Sequence, residues 1–157
     1  MASTTFSGPV TSTNGFVGDL TGNVTGNVTG NIAGTGRITH ATTSAINATA
    51  TATAAEVATG YITSTSAAAT VITLPTGTLL GAALGAVKGT IFDLYIDNTA
   101  GANTVTIAVA TNGILSTAAA DTAGSFGDLT VASGVTGLAR FTLMFSSATA
   151  YVFTRTA

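Results

Sequence analysis

The feature that most constrains this chain is a four-residue repeat between Phe16 and Gly36, FVGDLTGNVTGNVTGNIAGTG. An apolar residue returns at every fourth position, at Phe16, Leu20, Val24, Val28 and Ile32. Glycine stands two residues after each, and Asp or Asn follows the glycine at Asp19, Asn23, Asn27 and Asn31. Thr fills the remaining slot at Thr21, Thr25 and Thr29. Side chains of an extended chain alternate between two faces. A period of four therefore puts apolar residues and glycines on one face, and Thr with Asp/Asn on the other. A helix fails on two counts. Residues four apart drift by about 40° per repeat at roughly 3.6 residues per turn, and each glycine costs roughly 1 kcal/mol.

One such strand cannot bury its own apolar face. It needs copies of itself or another protein's surface, so Phe16, Leu20, Val24, Val28 and Ile32 are the candidate assembly-interface residues. Three chains around a common axis would satisfy each copy equally, with each valine facing a neighbour's glycine gap. The expected state is a homotrimer. The competing reading is a flexible Gly/Thr/Asn linker.

Composition points the same way. Only 6% of the 157 residues are charged, against a usual figure of about 25%. A surface so poor in charge has little electrostatic protection against association. Six acids and four bases leave a net charge of −2. Lys88, Arg37, Arg140 and Arg155 are scattered, and a nucleic-acid footprint needs clustered bases. Without cysteine there is no disulfide framework and no thiolate metal site. No run reaches the roughly 18–20 apolar residues of a membrane helix. MASTTFSGPV lacks the basic-then-apolar pattern of a secretory signal, so assembly in a cytoplasm is expected, with no nucleic-acid or membrane partner.

In chain order, residues 1–36 are read as an extended N-terminal Gly/Thr/Asn repeat arm, 37–56 as a connector and 57–157 as a β-sandwich domain. Within the connector, Ala48 to Thr53 alternate as an exposed or edge strand would, and Ala54, Ala55 and Glu56 suit a turn of helix. From Val57 onwards short apolar runs are separated by turn residues, the pattern of strands. TVITL ends at Pro75. Leu79–Val87 carries helical spacing at Leu80, Ala83, Leu84 and Val87. TIFDLYID (90–97) and TVTIAVA (104–110), joined by NTAGAN, predict an antiparallel hairpin. Residues 138–146 and 150–156 predict a second. Ser116–Gly127 is Gly/Ala-rich and predicts a loop. The expected fold class is all-β, an antiparallel, jelly-roll-like sandwich. Its expected core holds Phe92, Leu94, Ile96, Val105, Ile107, Phe141, Leu143 and Phe145.

The chemistry-bearing residues form no catalytic set. Asp93 and Asp97 share a strand face about 13 Å apart at ~3.3 Å per residue, beyond even the ~6.5–9.5 Å of an inverting carboxylate pair. Glu56, Asp121 and Asp128 have no recognisable companions. His40 has no second His and no Cys to complete a metal site. The serines lack a G-x-S-x-G elbow, and Gly81 and Gly85 lack the spacing of a phosphate loop. No enzyme, cofactor or metal is expected.

The repeat TGNVTGNVTGNIAG resembles segments of tailed-phage virion proteins. VATGYITSTSAAATVITLPTG, FDLYIDNTAGANTVTIAV and GLARFTLMFSSATAYVFTRTA resemble phage structural proteins of the capsid decoration, cement or head-fibre kind. The resemblance covers about 120 residues and carries no catalytic motif. It implies a homotrimeric component of the virion on the capsid surface, partnered by the major capsid protein and stabilising the shell by bridging subunits. The alternative it leaves is a short tail or head fibre with a receptor-binding β-domain.

Overall fold

The computed structural model describes residue 40, residues 42–115 and residues 129–156. The repeat, with Phe16, Leu20, Val24, Val28 and Ile32, lies outside the described residues, as does the stretch 116–127. In chain order the elements are β1 (Ser44–Ala45), β2 (Ala50–Thr51), α1 (Ala54–Ala58), β3 (Tyr61–Thr63), β4 (Thr70–Thr73), α2 (Gly77–Leu84), β5 (Ile91–Asp97), β6 (Val105–Ala108), β7 (Gly113–Leu115), β8 (Thr130–Val131), β9 (Leu138–Ser147) and β10 (Ala150–Arg155). A 3₁₀ turn at Gly134–Thr136 precedes β9.

The strands form a large sheet, in the order β1-β3-β5-β9-β10-β7, and a small sheet, in the order β2-β4-β6-β8. From β1 to β6 the chain alternates between them. Each circuit lays one strand beside its predecessor in each sheet, and these neighbours are parallel. Ser44, Ile62 and Ile96 stand side by side in one sheet, and Ala50, Ile72 and Ile107 in the other. Parallel neighbours need a long crossover, and the visit to the opposite sheet supplies it.

This corrects the expected all-β antiparallel sandwich. The fold is mixed α/β, with parallel and antiparallel strands in two sheets and helices between strands. The predicted hairpin of 90–97 with 104–110 does not form, because β5 and β6 belong to different sheets. Between them Asn98 is fully buried. Its Nδ2 donates to the carbonyls of Asn103 (2.8 Å), Val131 (3.1 Å) and Ala132 (3.0 Å), tying the corner to the end of β8. Alternation is the same in a hairpin and in a change of sheet, so the pattern alone misled. The second hairpin is present: β9 and β10 pair antiparallel from Ser147/Ala150 to Phe141/Arg155.

Both helices start on local chemistry. Thr53 caps α1 by accepting from Glu56 N–H, while the Glu56 carboxylate accepts from Thr53 N–H at 2.7 Å. This reciprocal box satisfies two donors that the first turn leaves free. Thr76 caps α2. The helix runs from Gly77 and stops at Gly85, which adopts φ +59°, a left-handed conformation that terminates helices. Val87 therefore falls beyond the helix and is exposed. The buried side is Gly77, Leu80 and Gly81. A Cβ on Gly81 would lie 1.9 Å from the Ala148 carbonyl oxygen, so glycine lets α2 approach the β9–β10 turn.

Inward residues of both sheets share one apolar core. Leu94, Ile96, Val105, Ile107, Phe141, Leu143 and Phe145 are buried there, and Phe92 packs half-buried against them. Phe141 and Phe153 stack at 4.9 Å between ring centroids. The Tyr151 hydroxyl donates to the Pro75 carbonyl at 3.0 Å. Burial pushes its pKa up to about 12. Arg155 follows the same inward alternation and is only 9% exposed. Its Nη1 donates to the Thr130 carbonyl at 2.7 Å.

Candidate functional site

Strand alternation gives the large sheet an outer face, and the pairing register sorts that face into levels. Tyr61, Tyr95 and Arg140 stand side by side on β3, β5 and β9. Asp93, Thr142 and Thr154 form a polar level. Ile91, Met144, Val152 and Ile114 form an aliphatic level across β5, β9, β10 and β7. Ile91, Met144 and Ile114 are 61%, 50% and 56% exposed. Four apolar side chains in register on neighbouring strands make a continuous strip rather than scattered exposure.

Beside this strip lies a groove of about 480 Å³, lined by His40, Tyr61, Ile91, Asp93, Tyr95 and Leu138, with Phe92 contributing from below. The tyrosine rings lie 6.4 Å apart with planes 23° from parallel. His40 meets Tyr95 edge-on at 5.6 Å and Tyr61 at 6.0 Å. Its Nδ1 lies 2.8 Å from the Thr59 carbonyl. A carbonyl only accepts, so Nδ1 carries the proton, and in a neutral ring Nε2 is then the acceptor. The seat depends on Gly60. Its φ is +74°, and a Cβ there would lie 2.5 Å from His40 Cε1.

The carboxylates at the groove are individually held. The Tyr61 hydroxyl donates to Asp97 Oδ2 at 2.7 Å. Asp97 Oδ1 accepts from the Thr99 hydroxyl at 2.6 Å and from Thr99 N–H at 2.9 Å. These bonds, Thr99's first, hold the Asp97 carboxyl below its usual range. The bond to Asp97 raises the Tyr61 hydroxyl, with burial and the neighbouring charge acting in the same direction. Asp93 Oδ1 accepts from Thr142 at 2.7 Å. Asp93 and Asp97 thus have separate partners and do not act as a pair. Glu56 is committed to capping α1.

Among the described residues no three His, Cys, Asp or Glu side chains converge on a metal position. No helix among them is long and apolar enough to cross a membrane. The five repeat residues expected to form the interface lie outside the described residues. The grouping of His40, Tyr61 and Tyr95 was not read from the sequence. It requires parallel pairing of β3 with β5 and the return of residue 40 over them, and neither leaves a local signal. No protein-family model, curated protein or solved structure matches the chain.

Proposed function

We propose that the chain is a structural, non-catalytic component of a tailed-phage virion. In this reading it is a decoration or cement protein that seats on the capsid surface, bridges major capsid protein subunits and associates with itself as a homotrimer. The observation that carries the reading is the aliphatic strip of Ile91, Met144, Val152 and Ile114. Burying such a strip releases roughly 25 cal/mol for each Å² of apolar surface, and no charge stands within that level to be desolvated. The low charge of the whole chain and the resemblance of its repeat support the same reading.

The test is made on purified particles. Met144→Lys should lower the copies of this chain per particle, measured by quantitative mass spectrometry, and lower the temperature at which the particles release DNA. If the wild-type chain is missing from purified particles, the reading fails. Oligomeric state is checked by native mass spectrometry. Val24→Asp/Val28→Asp should abolish the trimer, because unpaired buried charge is strongly unfavourable. Thr25→Asp/Thr29→Asp, which charges the polar face, should be milder. A stable wild-type monomer at working concentration would remove the trimer from the proposal.

A second reading, a short fibre with a receptor-binding domain, is favoured by the groove. It gathers two of the chain's three tyrosines, while Phe141, Phe145, Tyr151 and Phe153 are buried in the core.

A further inference from the structure

We propose that the groove over β3 and β5 is a binding site for a neutral, hydroxyl-rich ligand, a short oligosaccharide. The site gives the receptor-binding reading its chemistry, but its geometry does not depend on where in a virion the chain sits. Its volume of about 480 Å³ falls within the ~300–1,000 Å³ typical of small-molecule sites.

The walls match the two sides of a sugar. Pyranose rings present C–H faces bordered by hydroxyls. Tyr61, Tyr95 and His40 supply flat, half-exposed aromatic surface. Ile91 and Leu138, 61% and 52% exposed, add aliphatic contact. The polar groups are chiefly acceptors. Asp93 has one oxygen engaged by Thr142 and another that accepts. With Nδ1 donating to the Thr59 carbonyl, Nε2 of a neutral His40 ring is an acceptor. The Tyr95 hydroxyl makes no hydrogen bond to the described residues and can donate or accept. Sugar hydroxyls are donors that such acceptors satisfy, and a bond to a carboxylate is the stronger, charge-assisted kind.

The charge pattern narrows the class. A carboxylate and no Lys or Arg line the groove. Arg140, beside Tyr95 in register, directs its Nε to Thr156 Oγ1 at 3.1 Å. Sulfated, phosphorylated or sialylated ligands would meet Asp93 without a compensating cation. The site is also held in shape before any ligand arrives. Thr99 fixes Asp97, Asp97 fixes Tyr61, and the Thr59 carbonyl fixes His40. Less ordering then remains to oppose binding.

The full chain, isotope-labelled, is titrated by NMR with maltohexaose, cellohexaose and chitohexaose as neutral probes. Heparin hexasaccharide is the anionic probe and hexalysine the cationic one. At least one neutral probe should give saturable shifts centred on residues 59–63 and 91–97. Tyr95→Ala should weaken that binding roughly tenfold with the melting temperature nearly unchanged. Asp93→Asn keeps the side chain's shape and should weaken it severalfold. Thr106→Ala, on the small sheet, should leave it unchanged. The proposal is overturned if no neutral probe shifts the groove, if only heparin or hexalysine does, or if both groove variants bind as the wild type. Particle occupancy is measured separately, so the capsid reading can stand or fall without this one.

Discussion

The two sheets are built alike inside and differ outside. Each turns alternate residues inward: Leu94, Ile96, Phe141 and Leu143 in the large sheet, Ile72, Val105, Ile107 and Val131 in the small one. The outer face of the small sheet carries Val71, Thr73, Thr106, Ala108 and Thr130, which are short and uncharged. The outer face of the large sheet carries Tyr61, Tyr95, Asp93, Asp97, Arg140 and the aliphatic strip. Core formation requires only the inner pattern. The proposed capsid and oligosaccharide contacts both draw on these longer, more varied side chains of the large sheet.

The largest effects should come from the shared interior. Phe141→Ala should cost about 3–5 kcal/mol, and Ile72→Ala on the small sheet about 2–5 kcal/mol, both measured by urea denaturation. If only one substitution registers, the sheets do not share a cooperative core.

An alkaline test separates the large sheet from the small one. The Tyr151 pKa is raised by burial to about 12, so the folded state favours the protonated phenol. Its contribution is fully present below the ordinary value near 10 and declines as pH rises through 12. The loss should reach about 2 kcal/mol at pH 12. Tyr151→Phe should flatten the decline over that window, and an unaltered slope would place its cause elsewhere.

The outer faces provide a smaller, sharper contrast. Met144→Lys and Thr106→Lys should each change unfolding free energy by within about 0.5 kcal/mol. Only Met144→Lys should reduce particle occupancy. Equal loss of occupancy from both would erase the distinction between the faces.

The smallest expected effect lies at the groove. The Asp97 carboxyl is held low by Thr99 and Tyr61. Its stabilising contribution is present above the unfolded value near pH 4 and is lost as pH falls through the lowered one. Acid titration of Asp97→Asn against the wild type should show a slightly shallower loss for the variant. A steeper loss would mean that Asp97 is not favoured in its charged form.

What the sequence determined by itself is local. Alternation in 91–97, 104–110 and 138–146 assigned the inward side chains, because strand geometry forces neighbours to opposite faces. Thr53 and Glu56 have the spacing of a capping box, whereas the helical spacing that continues to Val87 overshoots the left-handed Gly85 at which α2 ends. The tertiary structure alone decided which strands are neighbours. Parallel and antiparallel partners impose the same alternation, so nothing in TIFDLYID announces that β5 lies between β3 and β9. From that pairing follow the tyrosine pair, the aliphatic strip and the corner held by Asn98. Arg155 shows the same division: period two turns it inward, but tertiary packing alone brings the Thr130 carbonyl to its buried guanidinium.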